Sequence, residues 1–124
     1  MQLVQDPSEF RYVLRGVSAD GVLVNQRTLT CSFLLAPNQL LENWRPASSQ
    51  ALQAEDFEAA FEWQPEVILL GTGLRQRFPS AAVLASVLRR GVGLEAMDSG
   101  AAARTFNVLA SEGRRVVAGF LVPG

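Results

Sequence analysis

The second half of the chain alternates short apolar runs with helical patterns, and this alternation restricts the possible folds more than any other feature. Residues 66–70 are aliphatic from Val67 onward and are closed by Gly71-Thr72-Gly73, which is typical of a strand buried on both faces. A second short strand is predicted at 93–97. A third is predicted at 115–122, and we expect it to be central in the sheet because it is apolar nearly throughout.

Helices are predicted between these strands. The first begins after Ser80, a suitable N-cap, and ends at Gly91, which suits the left-handed position that closes a helix. The second begins after Asp98 or Ser99 and runs to about Ser111. Strands that alternate with helices at this spacing pair in parallel through right-handed crossovers. The predicted buried positions of the two helices are Leu84, Val87 and Leu88, and then Ala102, Phe106, Leu109 and Ala110.

The first half is less regular and richer in turn signals. Asn25-Gln26 lies between two apolar segments, 22–24 and 27–36, and predicts a β-hairpin. A short edge strand is expected at 12–14 and a short helix at 51–61. The predicted fold class is therefore α/β, with a mostly parallel sheet, a C-terminal β-α-β-α-β unit and an antiparallel β-hairpin added from the N-terminal half. A length of 124 residues suits one domain, 1–124.

Composition excludes several kinds of chemistry. All 11 basic residues are arginine, and the chain has neither lysine nor histidine, which excludes Schiff-base chemistry, imidazole catalysis and histidine metal ligation. Because 12 acidic residues nearly balance the arginines, no strong positive field is available to attract nucleic acid. We therefore expect no nucleic-acid partner, no metal and no cofactor, and we predict no catalytic residue.

Cysteine use and the N-terminal pattern bear on location. The single cysteine, Cys31, cannot form an internal disulfide, and alternation places it beside Leu29 and Phe33 on one face of a strand, which predicts a buried thiol. Residues 1–7 have neither a signal-peptide nor a transit-peptide pattern, and no apolar stretch approaches the roughly 20 residues that span a bilayer. We expect a cytoplasmic protein.

The first candidate site is the loop Gly71-Thr72-Gly73, with Arg75 close by. Ligands of open parallel sheets bind beyond the carboxyl ends of strands, so backbone N–H groups and Arg75 could hold an anion or a nucleotide phosphate. However, Gln76 replaces the third glycine of the dinucleotide fingerprint, and no P-loop pattern is present. A tight structural turn is the favoured interpretation.

The second candidate is the start of the last helix. Asp98 and Ser99 favour an N-cap, and a general base at Asp98 is the alternative. Farther along, Arg104, Asn107 and Arg114 form either a solvated face or a recognition surface for a protein partner. Those two interpretations stay open.

Two blocks of the sequence, 67–73 and 95–116, resemble a widespread family of small α/β domains of unknown biochemical activity. Its eukaryotic members include a mitochondrial assembly factor of respiratory complex I. The family has threonine after the Met-Asp pair and tyrosine in Arg-Thr-Tyr-Asn, whereas this chain has Ser99 and Phe106. The resemblance implies a three-layer fold with a central mixed sheet and a role in assembly or interaction. It supplies no catalytic residues.

Two functional hypotheses follow. The first is a non-enzymatic interaction or assembly module with protein partners, which assists biogenesis of a respiratory or membrane complex through the Arg104, Asn107 and Arg114 face and the Gly71–Gly73 loop. The second is a small-molecule or anion-binding protein, or an enzyme, with a pocket between that loop and Asp98. The first is preferred because the side chains most used in catalysis are missing.

Overall fold

A computed structural model describes residues 11–124, so the N-terminal segment 1–7 interpreted above lies outside the described residues. Short strands dominate the first half, and strands alternate with helices in the second. The strands are β1 (Leu14–Ser18), β2 (Gly21–Val24), β3 (Arg27–Leu29), β4 (Phe33–Ala36), β5 (Gln39–Glu42), β6 (Val67–Gly71), β7 (Gly93–Met97) and β8 (Val116–Phe120). The helices are α1 (Glu58–Phe61), preceded by a 3-10 turn at Ala54–Phe57, α2 (Ala81–Leu88) and α3 (Ser99–Ser111).

Five strands form the central sheet in the order β5-β4-β8-β6-β7. β6 pairs in parallel with both β7 and β8, and β4 pairs antiparallel with both β5 and β8. Four strands therefore run in one direction and β4 alone runs against them. The predicted mixed, mostly parallel sheet with β8 at its centre is confirmed.

Side chains alternate across the central sheet and form two apolar cores. On β6, Val67 and Leu69 face α3, while Ile68 and Leu70 face the layer that contains α1 and α2. This alternation explains why the run reads as apolar throughout, because a strand covered on both faces has no side exposed to water. The result is the three-layer α/β fold that the sequence and the family resemblance predict.

β1, β2 and β3 form a separate antiparallel sheet, called here the small sheet, which packs on the α3 side of the central sheet. β2 and β3 are joined by the predicted two-residue turn, in which Asn25 has a φ of 55°. The Asn25 side chain also accepts a hydrogen bond from the Val13 N–H at 2.9 Å and donates to the Arg11 carbonyl at 2.9 Å. The hairpin prediction is confirmed.

The chain leaves the small sheet between β3 and β4, and two predictions fail there. The single strand predicted at 27–36 is two strands in different sheets, separated by residues 30–32. Cys31 lies in this bend and is exposed, so the buried thiol was wrong. The reason is that side chains alternate between the two faces only while one strand continues.

Two other strands of the first half differ from the prediction. The edge strand expected at 12–14 lies at β1 (Leu14–Ser18), and β5 (Gln39–Glu42) was not predicted.

α2 follows its predicted cap but not its predicted buried face. The Val83 N–H donates to Ser80 Oγ at 3.3 Å, which confirms the N-cap. The buried side chains are Val83 and Val87, whereas Leu88 is 60% exposed. Val83 and Val87 are four residues apart and therefore share the face of α2 that packs on the protein, and Leu88 lies outside that face. The prediction that Leu88 is buried was therefore wrong.

Trp44 packs the irregular segment before α1 against the central sheet. Its ring contacts Phe57 edge to face, with 5.8 Å between ring centroids, and its Nε1–H donates to the Asp56 carbonyl at 2.8 Å. The Asp56 carboxylate in turn accepts from Arg45 Nε at 2.8 Å and from the Gln53 N–H at 2.7 Å. This segment is thus held by both apolar and polar contacts.

The pKa of Asp56 links this polar cluster to pH-dependent stability. Burial of the carboxylate opposes its ionisation and is the largest single influence, but the hydrogen bonds from Arg45 and Gln53, with the Arg45 charge, outweigh it. The pKa of Asp56 is therefore lowered from its ordinary value of 3.8. A lowered pKa adds stability that is fully present above the ordinary value and is lost as the pH falls through the folded value.

Asp56→Asn is expected to lower the free energy of unfolding by about 2 kcal/mol at neutral pH, because it removes charge-assisted hydrogen bonds from a largely buried group. Urea titrations over a range of pH test this. The difference in free energy of unfolding between wild type and variant should become smaller as the pH falls below 3.8. The exposed Glu62→Gln should match wild type throughout. A gap that does not change with pH would contradict the assignment.

Candidate functional site

The carboxyl ends of β6, β7 and β8 meet at one edge of the central sheet, as predicted. The Thr72 N–H donates to the Met97 carbonyl at 2.9 Å, and the Leu121 N–H donates to the Gly71 carbonyl at 2.9 Å. These bonds continue the parallel pairing of β6 with its two neighbours. The loop after β6, the start of α3 and the C-terminal residues 121–124 therefore lie together.

In the loop Gly71-Thr72-Gly73, the N–H groups of Thr72 and Gly73 and the Thr72 hydroxyl are hydrogen-bonded within the protein. Thr72 Oγ1 donates to the Arg75 carbonyl at 2.6 Å, and the Gly73 N–H donates to Ser99 Oγ at 2.8 Å. Gly73 has a φ of +93°, and a Cβ there would lie 2.6 Å from the Pro123 carbonyl oxygen. Because the N–H groups of Thr72 and Gly73 already have acceptors, this geometry favours a structural turn over a phosphate cradle.

Asp98 and Ser99 both serve the start of α3. Asp98 Oδ1 accepts from the Ala101 N–H at 2.8 Å, which is an N-cap bond. Ser99 is buried, and its N–H donates to the Gly73 carbonyl at 2.8 Å. The two hydrogen bonds between Ser99 and Gly73 join the loop to the helix, so the arrangement supports the capping interpretation of Asp98 rather than a general base.

A cleft of about 260 Å³ lies between this edge and the small sheet. Its walls come from the β1–β2 turn and from residues 72–77, and the C-terminal residues 121–124 are called here its floor. Thr72, Gly73, Arg75 and Ser99 line it, whereas Gly71 and Asp98 do not. Among the described residues no aspartate or glutamate lines the cleft, and its two charged side chains are Arg75 and Arg77.

Residues 74–78, called here the arginine loop, are all exposed, and Leu74, Arg75 and Arg77 of this loop line the cleft. Leu74 is 67% exposed and Phe78 is 70% exposed, on either side of Arg75 and Arg77. We did not predict these two apolar residues as functional. The sequence feature that could have indicated them is their position between the glycine turn and the Ser80 cap. In such a loop neither helical nor strand periodicity requires an apolar side chain.

Arg104, Asn107 and Arg114 do not form one surface. Asn107 Nδ2 donates to the Leu14 carbonyl at 2.7 Å, and its Oδ1 accepts from the Leu14 N–H at 3.2 Å, so its amide binds β1 to α3. Arg104 is exposed and lines a hollow beside β1 together with Asn107. Arg114 lies at the opposite end of the central sheet, where its Nε is 3.2 Å from Glu66 Oε1.

The environment of Glu66 shows that Arg114 has a structural partner. A hydrogen bond from the Arg115 N–H, followed by one from Arg114, lowers the pKa of Glu66. The pair is partly exposed, and such pairs contribute little to stability. At this end of the sheet, Arg114 and the half-buried Trp63 border a shallow hollow that is remote from the cleft.

Residues 11–124 contain neither a cluster of metal ligands nor a membrane-spanning helix. No group of three or more aspartate, glutamate or cysteine side chains is placed to hold a metal ion. No helix in this part of the chain has the length and apolar character needed to cross a bilayer.

Comparison with known proteins places these features in context. A zebrafish (Danio rerio) protein named NADH dehydrogenase [ubiquinone] 1 alpha subcomplex assembly factor 3 is 30% identical over 99% of this chain and 71% of its own length. The 13 kDa major membrane protein of Francisella tularensis is 25% identical over 91% of this chain and 89% of its own length.

Solved structures agree with the fold. The NMR structure of a Xanthomonas campestris protein is 49% identical, covers 100% of this chain and 94% of its own, and superimposes with a TM-score of 0.86. The NMR structure of a Bordetella pertussis protein, described as an Mth938-like domain, is 30% identical with a TM-score of 0.80, over 100% and 94% of the two chains.

The fold is that of a small three-layer α/β domain of the Mth938-like type. A family model described as a protein of unknown function (DUF498/DUF598) matches residues 14–121. The chain belongs to this family, and the resemblance drawn from the sequence is confirmed.

Proposed function

We propose that this chain is a non-catalytic protein-interaction module, working in the cytoplasm as one domain, that assists assembly of a respiratory membrane complex. The arginine loop is the observation that carries the proposal. It exposes two large apolar side chains and two arginines side by side, and arginine and aromatic residues are enriched at protein interfaces. Covering these two exposed apolar side chains with a protein partner would remove their surface from water, which favours binding.

The roles of the polar residues also support interaction rather than turnover. Thr72, Asp98, Ser99 and Asn107 all use their side chains to fix neighbouring backbone. Lysine and histidine are absent from the sequence. The assembly role itself is suggested by the name of the zebrafish relative, which refers to NADH dehydrogenase.

The second candidate function is binding of a small anionic molecule, and the cleft with its two arginines favours it. At about 260 Å³ the cleft is just below the roughly 300–1,000 Å³ range of small-molecule pockets, and it is open to solvent. A thermal-shift screen with nucleotides, phosphate and carboxylic acids tests this function, since a ligand specific for the folded state raises the Tm. If one compound raises the Tm of wild type but not that of Arg75→Ala, binding of a small anion would be favoured over the interaction function.

The assembly proposal is tested by deleting the gene in the native host. The amount of assembled NADH dehydrogenase is then measured on native gels and by NADH oxidation in isolated membranes. We expect the deletion to lower both several-fold and the wild-type gene to restore both. Unchanged assembly in the deletion strain would refute the proposal.

Complementation with surface variants tests the role of the arginine loop. Leu74→Ala/Phe78→Ala should fail to restore assembly, because the exposed apolar contacts are lost. Leu88→Ala is the matched control, since Leu88 is similarly exposed on α2, and it should restore assembly fully. Circular dichroism melts must show that both variants fold. If the double variant restores assembly as well as Leu88→Ala does, the arginine loop is not the interaction surface.

A further inference from the structure

We propose that the cleft beside the arginine loop binds a short acidic segment of a protein partner, which inserts an apolar side chain and places a carboxylate against Arg75 and Arg77. This inference rests on the proposed interaction function and specifies the chemistry of the partner. The charge of the cleft, the character of its walls and the packing of its floor support it.

The charge of the cleft differs from that of the chain. The whole chain has a formal net charge of −1, yet the side chains of the described residues that line the cleft include two arginines and no carboxylate. The acidic residue next to this lining is the exposed Asp20, between Ala19 and Gly21 in the β1–β2 turn. The four ion pairs among the described residues involve Arg27, Arg45, Arg90 and Arg114, and so leave out the arginines of the cleft. An arginine guanidinium matches a carboxylate through two parallel hydrogen bonds, so a carboxylate complements this site.

The lining of the cleft is partly apolar. Val17, Val22, Leu121 and Val122 line it, and Leu74 stands at its rim. An apolar side chain that enters the cleft is removed from water, while an adjacent carboxylate remains at the charged mouth. Acidic and apolar residues next to each other in one segment would satisfy both parts of the site.

The floor of the cleft is held in shape by close backbone packing. A Cβ at Gly124 would lie 2.6 Å from the Thr72 carbonyl oxygen, and the Gly124 N–H donates to the Ala47 carbonyl at 3.0 Å. The Val122 N–H donates to Ser32 Oγ at 2.9 Å. A site whose backbone is already formed loses less conformational entropy when it binds, so a short segment can achieve useful affinity.

An anionic bilayer is the competing partner, because exposed Leu74 and Phe78 with two arginines could also meet a lipid surface. The shape of the cleft disfavours a bilayer as partner, because a flat lipid surface does not enter the cleft and leaves its lining residues without contacts. The loop also supplies only two basic residues, and each contributes roughly 1 kcal/mol near an anionic membrane. We therefore favour the peptide, and lipid binding becomes an outcome of the test.

A random peptide library displayed on phage is the probe. The full-length chain is immobilised, and selections are run in parallel on wild type and on the Arg75→Glu/Arg77→Glu variant. We expect the wild-type pool to become rich in aspartate and glutamate next to aliphatic or aromatic residues. Isolated peptides should bind the double variant at least about tenfold more weakly, and added salt should weaken wild-type binding.

The controls separate this inference from its alternatives. Arg89→Glu changes an exposed arginine outside the cleft and should keep wild-type affinity. In amide NMR spectra of labelled wild type, a selected peptide should shift residues 17–22, 72–77 and 121–124. Selection without acidic residues, or equal binding by the double variant, would overturn the inference. So would a library that yields nothing while vesicles containing phosphatidylserine bind wild type and not the variant. None of these results depends on the gene-deletion outcome, so the two proposals can fail separately.

Discussion

Gly119→Ala should lower the free energy of unfolding by about 3 kcal/mol, because overpacking a filled core forces side chains out of their preferred rotamers. Gly119 lies in β8 at the centre of the sheet, directly under Trp44. A Cβ there would approach Trp44 Cζ3 to 2.7 Å and Leu34 Cδ2 to 3.1 Å. Trp44 cannot move away freely, since its Nε1–H is bound to the Asp56 carbonyl.

Urea unfolding of a small set of variants tests this contact. Gly16→Ala is the control, because Gly16 is also in a strand but its Cβ would have nothing within 4 Å. It should stay within about 0.5 kcal/mol of wild type. Trp44→Phe removes the ring atoms that clash, so Trp44→Phe/Gly119→Ala should lose less stability than the sum of the two single changes. Strict additivity would show that the contact is not the cause.

Asn107→Ala should lower the free energy of unfolding by about 3 kcal/mol, because it leaves both the N–H and the carbonyl of Leu14 without partners in a partly buried place. The Asn107 amide provides both side-chain hydrogen bonds that join α3 to β1. Loss of those bonds should loosen the small sheet first and leave the central sheet in place. Amide hydrogen exchange should therefore accelerate in β1 and β2 more than in β6 and β8.

Arg104→Ala is the matched control for Asn107→Ala. Arg104 lies on the same helix, three residues earlier, but it is exposed, so its removal should change stability by no more than about 0.5 kcal/mol. If the two variants are equally stable, the Asn107 amide does not hold the small sheet. If exchange accelerates uniformly over the molecule, the two sheets unfold together rather than in sequence.

Asn107 also illustrates what the sequence could not provide. It was grouped with Arg104 and Arg114 as either a solvated face or a recognition surface, and helical spacing supports its grouping with Arg104. Its partner, Leu14, is 93 residues away in the chain. No local pattern indicates which of several polar side chains on a helix will meet another strand, because that depends on how the layers pack.

The candidate site also combines features that the sequence predicts with features that depend on the tertiary structure. The juxtaposition of the Gly71–Gly73 loop with the start of α3 was predictable, because parallel strands end at one edge of a sheet. The cleft was not, because its opposite wall is the β1–β2 turn and its floor is residues 121–124. Leu74 and Phe78 were overlooked since the exposure of a loop side chain depends on what the rest of the fold leaves uncovered.

The sequence by itself determined the β-α-β-α-β half, the caps at Ser80 and Asp98, the hairpin turn at Asn25 and the central place of β8. Each of these depends on periodicity, capping or turn chemistry within a few neighbouring residues, and the chain carries that information locally. Only the tertiary structure decided the break at Cys31, the separation of Arg104 from Arg114 and the cleft under the arginine loop. Those features arise where segments distant in sequence pack together, and packing is a property of the whole chain.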